Sequence, residues 1–190
     1  MSIQTSIIRF AVLAWFCLEL ALALHNRIAR KKSIVRDSGS KVLLIVAIFI
    51  GIFLASRLRF INATRIDDSG TWPAYLAVLL FMLGLAIRLQ AVLTLGHFFT
   101  TAVTVHPEHQ LVRRGIYAHI RHPGYLGSLL IFAGFGFSFQ NWLSLLALLT
   151  LAISGFLNRI HVEERVLAVT FGREYTDYVR MTKRLIPDVY

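Results

Sequence analysis

Four apolar stretches, separated by short polar punctuation, dominate the chain. The first runs from about Ile7 to Leu24 and carries Arg9 and Glu19. The second, Val42 to Ser56, has no charge, and the third, Trp72 to Leu95, is broken only by Arg88 and Gln90. Each approaches the roughly 20 residues that a helix needs to cross ~30 Å of hydrocarbon, the second at the short end. The fourth, Tyr125 to Leu157, is too long for one comfortable span, and the polar corner SFQNW interrupts it at residues 138 to 142. At about 1.5 Å per residue its first arm, 125–139, reaches only ~22 Å. The pattern predicts an all-α fold, a multi-pass transmembrane bundle of about five helices. Its spans fall at about 7–24, 42–56 and 72–95, followed by a short re-entrant hairpin of 125–139 and 141–157. Residues 1–190 read as one integral membrane domain, with 158–190 a C-terminal segment on the cytosolic side.

Composition sharpens this picture. Of 190 residues 56% are hydrophobic and only 16% are charged, against about a quarter charged in an ordinary soluble domain. The formal net charge is +10, but in a membrane protein basic residues report topology first. No basic platform interleaved with aromatic residues supports a nucleic-acid partner. The single cysteine, Cys17, excludes an internal disulfide and a cysteine-rich zinc site. The first apolar block is too long, and too weakly basic in front, for a cleaved signal peptide; it reads as a retained span. Residues 25–41 hold six Lys or Arg against one Asp, residues 57–71 hold three Arg, and the tail after Leu157 holds six basic residues. The positive-inside rule then puts the first loop and the tail in the cytoplasm, and the N-terminus and residues 57–71 outside. The 96–124 loop returns to the cytoplasm and meets the tail there.

That loop carries the densest chemistry. In RRGIYAHIRHPGYLG, residues 113 to 127, Pro123 suits the first turn of a helix, where its missing N–H is no loss. Arg121 and His122 stand beside the free amides of that turn, an arrangement suited to an anion. A guanidinium can hold a carboxylate in a two-point grip. In HVEERVLAVTFGREYTDYV, residues 161 to 179, Glu163 and Glu164 follow the last apolar arm. A carboxylate there could take ribose hydroxyls, an amino group or a sulfonium charge. Leu167, Phe171, Tyr175 and Tyr178 continue at helical spacing, as in an amphipathic segment on the site or on the membrane surface, and Gly172 breaks or bends it.

Plainer readings stand beside these. Arg121 could only snorkel to lipid phosphate, and the two glutamates could be a solvated face paired with Arg159 or Arg165. His97, His106 and His109 are spaced too irregularly for a metal set, so no metal is expected. Glu19 and Arg88 are costly inside spans and mark an inward face or a partner; a structural bridge between them is the favoured reading.

The stretches HQLVRRGIYAHIRHPGYLG and EERVLAVTFGREYTDYVRMTKRLIP, with LGHFF before them, resemble the isoprenylcysteine carboxyl methyltransferase family over about the C-terminal half. The specific element is the combination: Arg-His-Pro-x-Tyr-x-Gly, then Glu-Glu, then Phe-Gly-x-x-Tyr. The resemblance implies an S-adenosyl-L-methionine-dependent transferase. Its cofactor comes from the cytosol, its lipid-like acceptor from the bilayer, and no obligatory protein partner is implied. Carried over by position, His109, Gln110, Leu111, Tyr117, His122, Pro123, Tyr125, Glu163 and Glu164 line the cofactor pocket. Arg121 contacts the acceptor carboxylate and serves catalysis together with Glu163 and Glu164. Arg184 is a second acceptor contact. The cationic corner at 121–122 and the acidic pair are expected on opposite walls of one cavity. The compact length points to a bacterial inner membrane. Two rivals remain: a membrane N- or O-methyltransferase acting on a phospholipid or other small apolar acceptor, and an NADPH-dependent sterol-type reductase.

Overall fold

The computed structural model describes residues 19–20, 34–37, 39–66, 72–96, 103–105 and 111–186. Except for Glu19 and Leu20, the expected first span lies outside them. In chain order the elements are β1 (Ile34–Asp37), α1 (Gly39–Leu58), α2 (Trp72–Leu95), β2 (Val103–Val105), α3 (Pro123–Ser138), α4 (Trp142–Phe171) and α5 (Arg173–Met181). Three of these helices, α1, α2 and α4, are long and apolar enough to cross a membrane, while α3 is shorter. The bundle is helical as the hydrophobic pattern predicts. Beyond that pattern, β1 and β2 form a two-stranded antiparallel ribbon with Ile34 opposite Val105.

Each helix begins and ends for a local reason. Asp37 caps α1, accepting from Gly39 N at 2.9 Å and Ser40 N at 3.1 Å. The polar corner behaves as expected: Gln140 takes a left-handed backbone, φ 53°, and turns the chain from α3 into α4. Asn141 then caps α4 by accepting from Ser144 N at 3.0 Å, while its Nδ2 donates to Ile61 O and Thr64 Oγ1. Gly172, at φ 53°, ends α4 and lets α5 fold back. The hairpin arms are unequal. Helix α3 has 16 residues and α4 has 30, so α4 continues past Leu157 and carries the Glu163–Glu164 pair on rigid helix.

Small residues let these helices approach closely, the usual solution where lipid supplies no hydrophobic drive between them. A Cβ added at Gly127 of α3 would lie 2.6 Å from Gly84 O of α2, and one added at Gly134 would lie 2.6 Å from Ala77 O. Between α1 and α4, Ser144 Oγ donates to Ala55 O at 2.8 Å beside a core of Ala55, Phe132, Leu148, Ala152 and Phe156. Arg88 answers the question raised by a charge within a span. Its Nε pairs with Glu19 at 2.5 Å, and its Nη1 donates to Gly124 O at 3.0 Å and Ser128 Oγ at 2.8 Å. The expected bridge is present, and it also ties α2 to the start of α3.

The connections sort by end. At one end, β1 of the first loop pairs with β2 of the 96–124 loop, and Ile120 bridges Lys183 of the tail. At the other, Arg65 bridges Asn141 at the tip of the α3–α4 hairpin.

Candidate functional site

The chemistry gathers at the first of these ends. Pro123 opens α3 and Tyr117 is buried in the turn before it. The chain after α5 runs back alongside 119–122 and holds it by main-chain bonds. Arg121 N donates to Lys183 O at 2.8 Å, His122 N to Arg184 O at 3.0 Å, and Lys183 N to His119 O at 3.1 Å. Helix α5 is fixed on the same side by Tyr178 Oη, which donates to Tyr117 O at 2.7 Å. Tyr175 and Tyr178 are buried, while Leu167 and Phe171 of α4 are half-buried.

Glu164 sits at the centre. Arg121 Nε donates to its Oε1 at 3.0 Å, Arg184 Nε to its Oε2 at 3.0 Å, and His122 Nε2 lies 3.4 Å from Oε1. Glu163 points to the other side of His122 and accepts from Tyr125 Oη at 2.6 Å. The rings of His122 and Tyr125 stack with centroids 5.5 Å apart. The two arginine and two glutamate charges nearly cancel. An uncompensated ion in so enclosed a place would cost several kcal/mol. Glu164 lies beyond the apolar part of α4. Burial pushes its pKa up, but hydrogen bonds from His122, Arg184 and Arg121 outweigh this and bring it down to about 2. Burial raises the hydroxyl of Tyr178 to about 12 and that of Tyr117 higher still, Glu163 adding to the latter.

Of the predicted residues, Arg121, His122, Tyr125, Glu163, Glu164 and Arg184 are brought together, with one change of geometry. Arg121 and Glu164 touch, where opposite walls of a cavity were expected, because unlike charges on adjoining elements of a low-dielectric corner close on each other. Arg121 is also more committed than a free two-point clamp. Its Nη1 donates to the carbonyl oxygens of Thr182 and, at 3.3 Å, Val179, leaving Nη2 as the end without a hydrogen bond among the described residues. Arg184 serves Glu164. Arg159 does not lie on a solvated face: it is buried, and its Nη1 donates to Ser40 Oγ at 3.0 Å. Leu111 is half-buried at the edge of the described loop, and His109 and Gln110 lie outside the described residues. Sequence reading missed one participant, Thr182, and named Tyr175 only as part of an amphipathic stripe. Thr182 is buried and bonded to Arg121. Tyr175 is 4% exposed, and its hydroxyl has no hydrogen-bond partner among the described residues. Helical spacing and the Phe-Gly-x-x-Tyr motif were the signals for Tyr175, and Thr182 had none.

Fold and cluster define a polytopic helical membrane protein whose polar chemistry is concentrated at one end of its bundle. The family model described as isoprenylcysteine carboxyl methyltransferase matches residues 76–169, which hold Arg121, His122 and both glutamates. Over that region, just under half of its length, the chain is similar to the isoprenylcysteine carboxyl methyltransferase family. A probable protein-S-isoprenylcysteine O-methyltransferase of Oryza sativa subsp. indica is 35% identical over 116 residues, covering 60% of this chain and 61% of the relative. The protein-S-isoprenylcysteine O-methyltransferase of Saccharomyces cerevisiae is 38% identical over 105 residues, 54% of this chain and 44% of its own. The chain thus spans less than two thirds of the length of these relatives. The solved eukaryotic intramembrane Ras methyltransferase superposes over 98% of this chain and 68% of its own, with a TM-score of 0.68 at 23% identity. It shares the fold.

Proposed function

We propose that the protein transfers a methyl group from S-adenosyl-L-methionine to a lipid-like acceptor, by O-methylation of a carboxylate such as that of an isoprenylated cysteine. The observation that carries this reading is Arg121. It is anchored through Nε and Nη1, it stands beside the two glutamates, and it belongs to the part of the chain that the family model matches. When bound, the cofactor would supply an electrophilic methyl group on a sulfonium. The residues fit such a group. Glu163 is 30% exposed and, among the described residues, accepts one hydrogen bond, from Tyr125, which leaves lone pairs for ribose hydroxyls or an ammonium. The Tyr175 hydroxyl is a buried donor without an acceptor among the described residues.

A carboxylate acceptor, with a reference pKa near 4, needs no general base at neutral pH. What the protein must supply is alignment and removal of water. Arg121, with one end left, orients an anion without neutralising it fully, and Glu164 moderates its charge. In this reading the cofactor comes from the cytosol, where the C-terminus lies, and the acceptor enters from the bilayer. The N-terminus lies outside, and the basic loops suit a bacterial inner membrane.

Thermal unfolding of the detergent-purified protein with S-adenosylmethionine, S-adenosylhomocysteine and NADPH tests the cofactor: the first two should stabilise and NADPH should not. Stabilisation by NADPH alone would favour the reductase. Labelled methyl transfer to a farnesylated cysteine tests the acceptor. The product should release its label in mild base, as an ester does and an ether or methylamine does not.

A further inference from the structure

The outer side of the α5–tail segment leaves cationic and apolar side chains together. An open trough of about 390 Å³ lies there, lined by His119, Arg121, Arg180 and Lys183, with Val179 and Met181 beside them. Among the described residues the lining holds no carboxylate; Asp177, the acidic neighbour, lies 3.5 Å from Arg180 Nη1. The Arg180 side chain is 75% exposed and Met181 is 67% exposed. The trough adjoins the residues just before α3, the end where apolar helix gives way to polar chain.

We propose that this trough seats the headgroup of an anionic phospholipid, its phosphate on Arg180 and Lys183 and its glycerol and upper acyl region on Val179 and Met181. Charge complementarity selects an anion. The apolar neighbours select an amphiphile, since a free inorganic anion gains nothing from Val179 or Met181. Basic residues next to the membrane surface draw anionic lipid by this combination of Coulomb attraction and apolar contact. The trough borders Arg121, but its phosphate is assigned to Arg180 and Lys183, whereas Glu164 is held by Arg121 and Arg184.

The test uses the full chain in mild detergent, titrated with phosphatidylglycerol, phosphatidylcholine or inorganic phosphate. Lipid retention is followed by native mass spectrometry and stability by thermal unfolding. Phosphatidylglycerol should be retained and should raise the melting point, an effect that fades with salt. R180Q/K183Q should weaken its retention roughly tenfold or more, while R173Q, at the other end of α5, leaves it unchanged. Both altered side chains are exposed, so the unliganded melting point should hold. Should it fall, Met181→Glu, which places a like charge beside the phosphate, gives the same reading. Equal retention of phosphatidylglycerol by wild type and both variants would overturn the proposal. So would phosphate or phosphatidylcholine matching phosphatidylglycerol, since either removes the need for an anionic lipid.

Discussion

Arg121 gives two of its three nitrogens to the protein, and its role can be separated from folding. Arg121→Ala should reduce methyl transfer by about a hundredfold, the scale on which a charge-stabilising donor acts, while binding of S-adenosylhomocysteine changes little. Full transfer with unchanged cofactor binding would remove Arg121 from the chemistry. Glu164 makes the complementary prediction. Its pKa falls from an ordinary 4.5 to about 2 in the fold, so its contribution to stability is complete above pH 4.5 and is lost as the pH drops toward 2. Thermal unfolding between those values should show that slope in the wild type, reduced in Glu164→Gln. At neutral pH the variant should also be less stable, because Arg121 and Arg184 lose their shared acceptor. Much at this scale was legible. Arg-His-Pro and Glu-Glu are rare enough together in an apolar chain to identify the corner. Thr182 was not, because its importance comes from a carbonyl oxygen, which every residue has.

Among the helices, the apolar runs of 42–56 and 72–95 translated directly into α1 and α2, since period and length leave few alternatives. The end of α4 did not translate. Charges from Arg159 onward end the apolar run but not the helix, because Glu, Arg, Leu and Ala all propagate helix well. The β1–β2 ribbon was equally hidden: its short strands sit in loops far apart in sequence. The α2–α3 seam depends on glycine. Gly127→Ala would set a methyl 2.6 Å from a backbone carbonyl, where no side chain can yield, so the helices must part. Overpacking of this kind costs about 1–3 kcal/mol. Melting in detergent should fall by several degrees, whereas Gly96→Ala, whose added Cβ meets nothing within 4 Å, reports only the strain of its positive φ.

At the level of the whole molecule, the two ends are chemically distinct, and this gives topology a direct test. With Cys17 replaced, a cysteine at Ala63 should react with an impermeant maleimide applied from outside intact cells, and one at Thr176 only after permeabilisation; both positions are exposed. The reverse pattern would invert the proposed orientation. Charge counting anticipated that the 96–124 loop and the tail would share an end. It could not anticipate how tightly, because main-chain pairing between residues 120 and 183 leaves no trace in side-chain pattern.

That pairing has a consequence for biosynthesis. Arg121 is translated some sixty residues before the carbonyl groups of Val179, Thr182 and Lys183 that fix it. Until that tail has been made, the arginine lacks those anchors. A chain that stopped before Thr182 would lack two of the carbonyl anchors of Arg121, and the corner at 119–122 would lose its main-chain partners at 183 and 184.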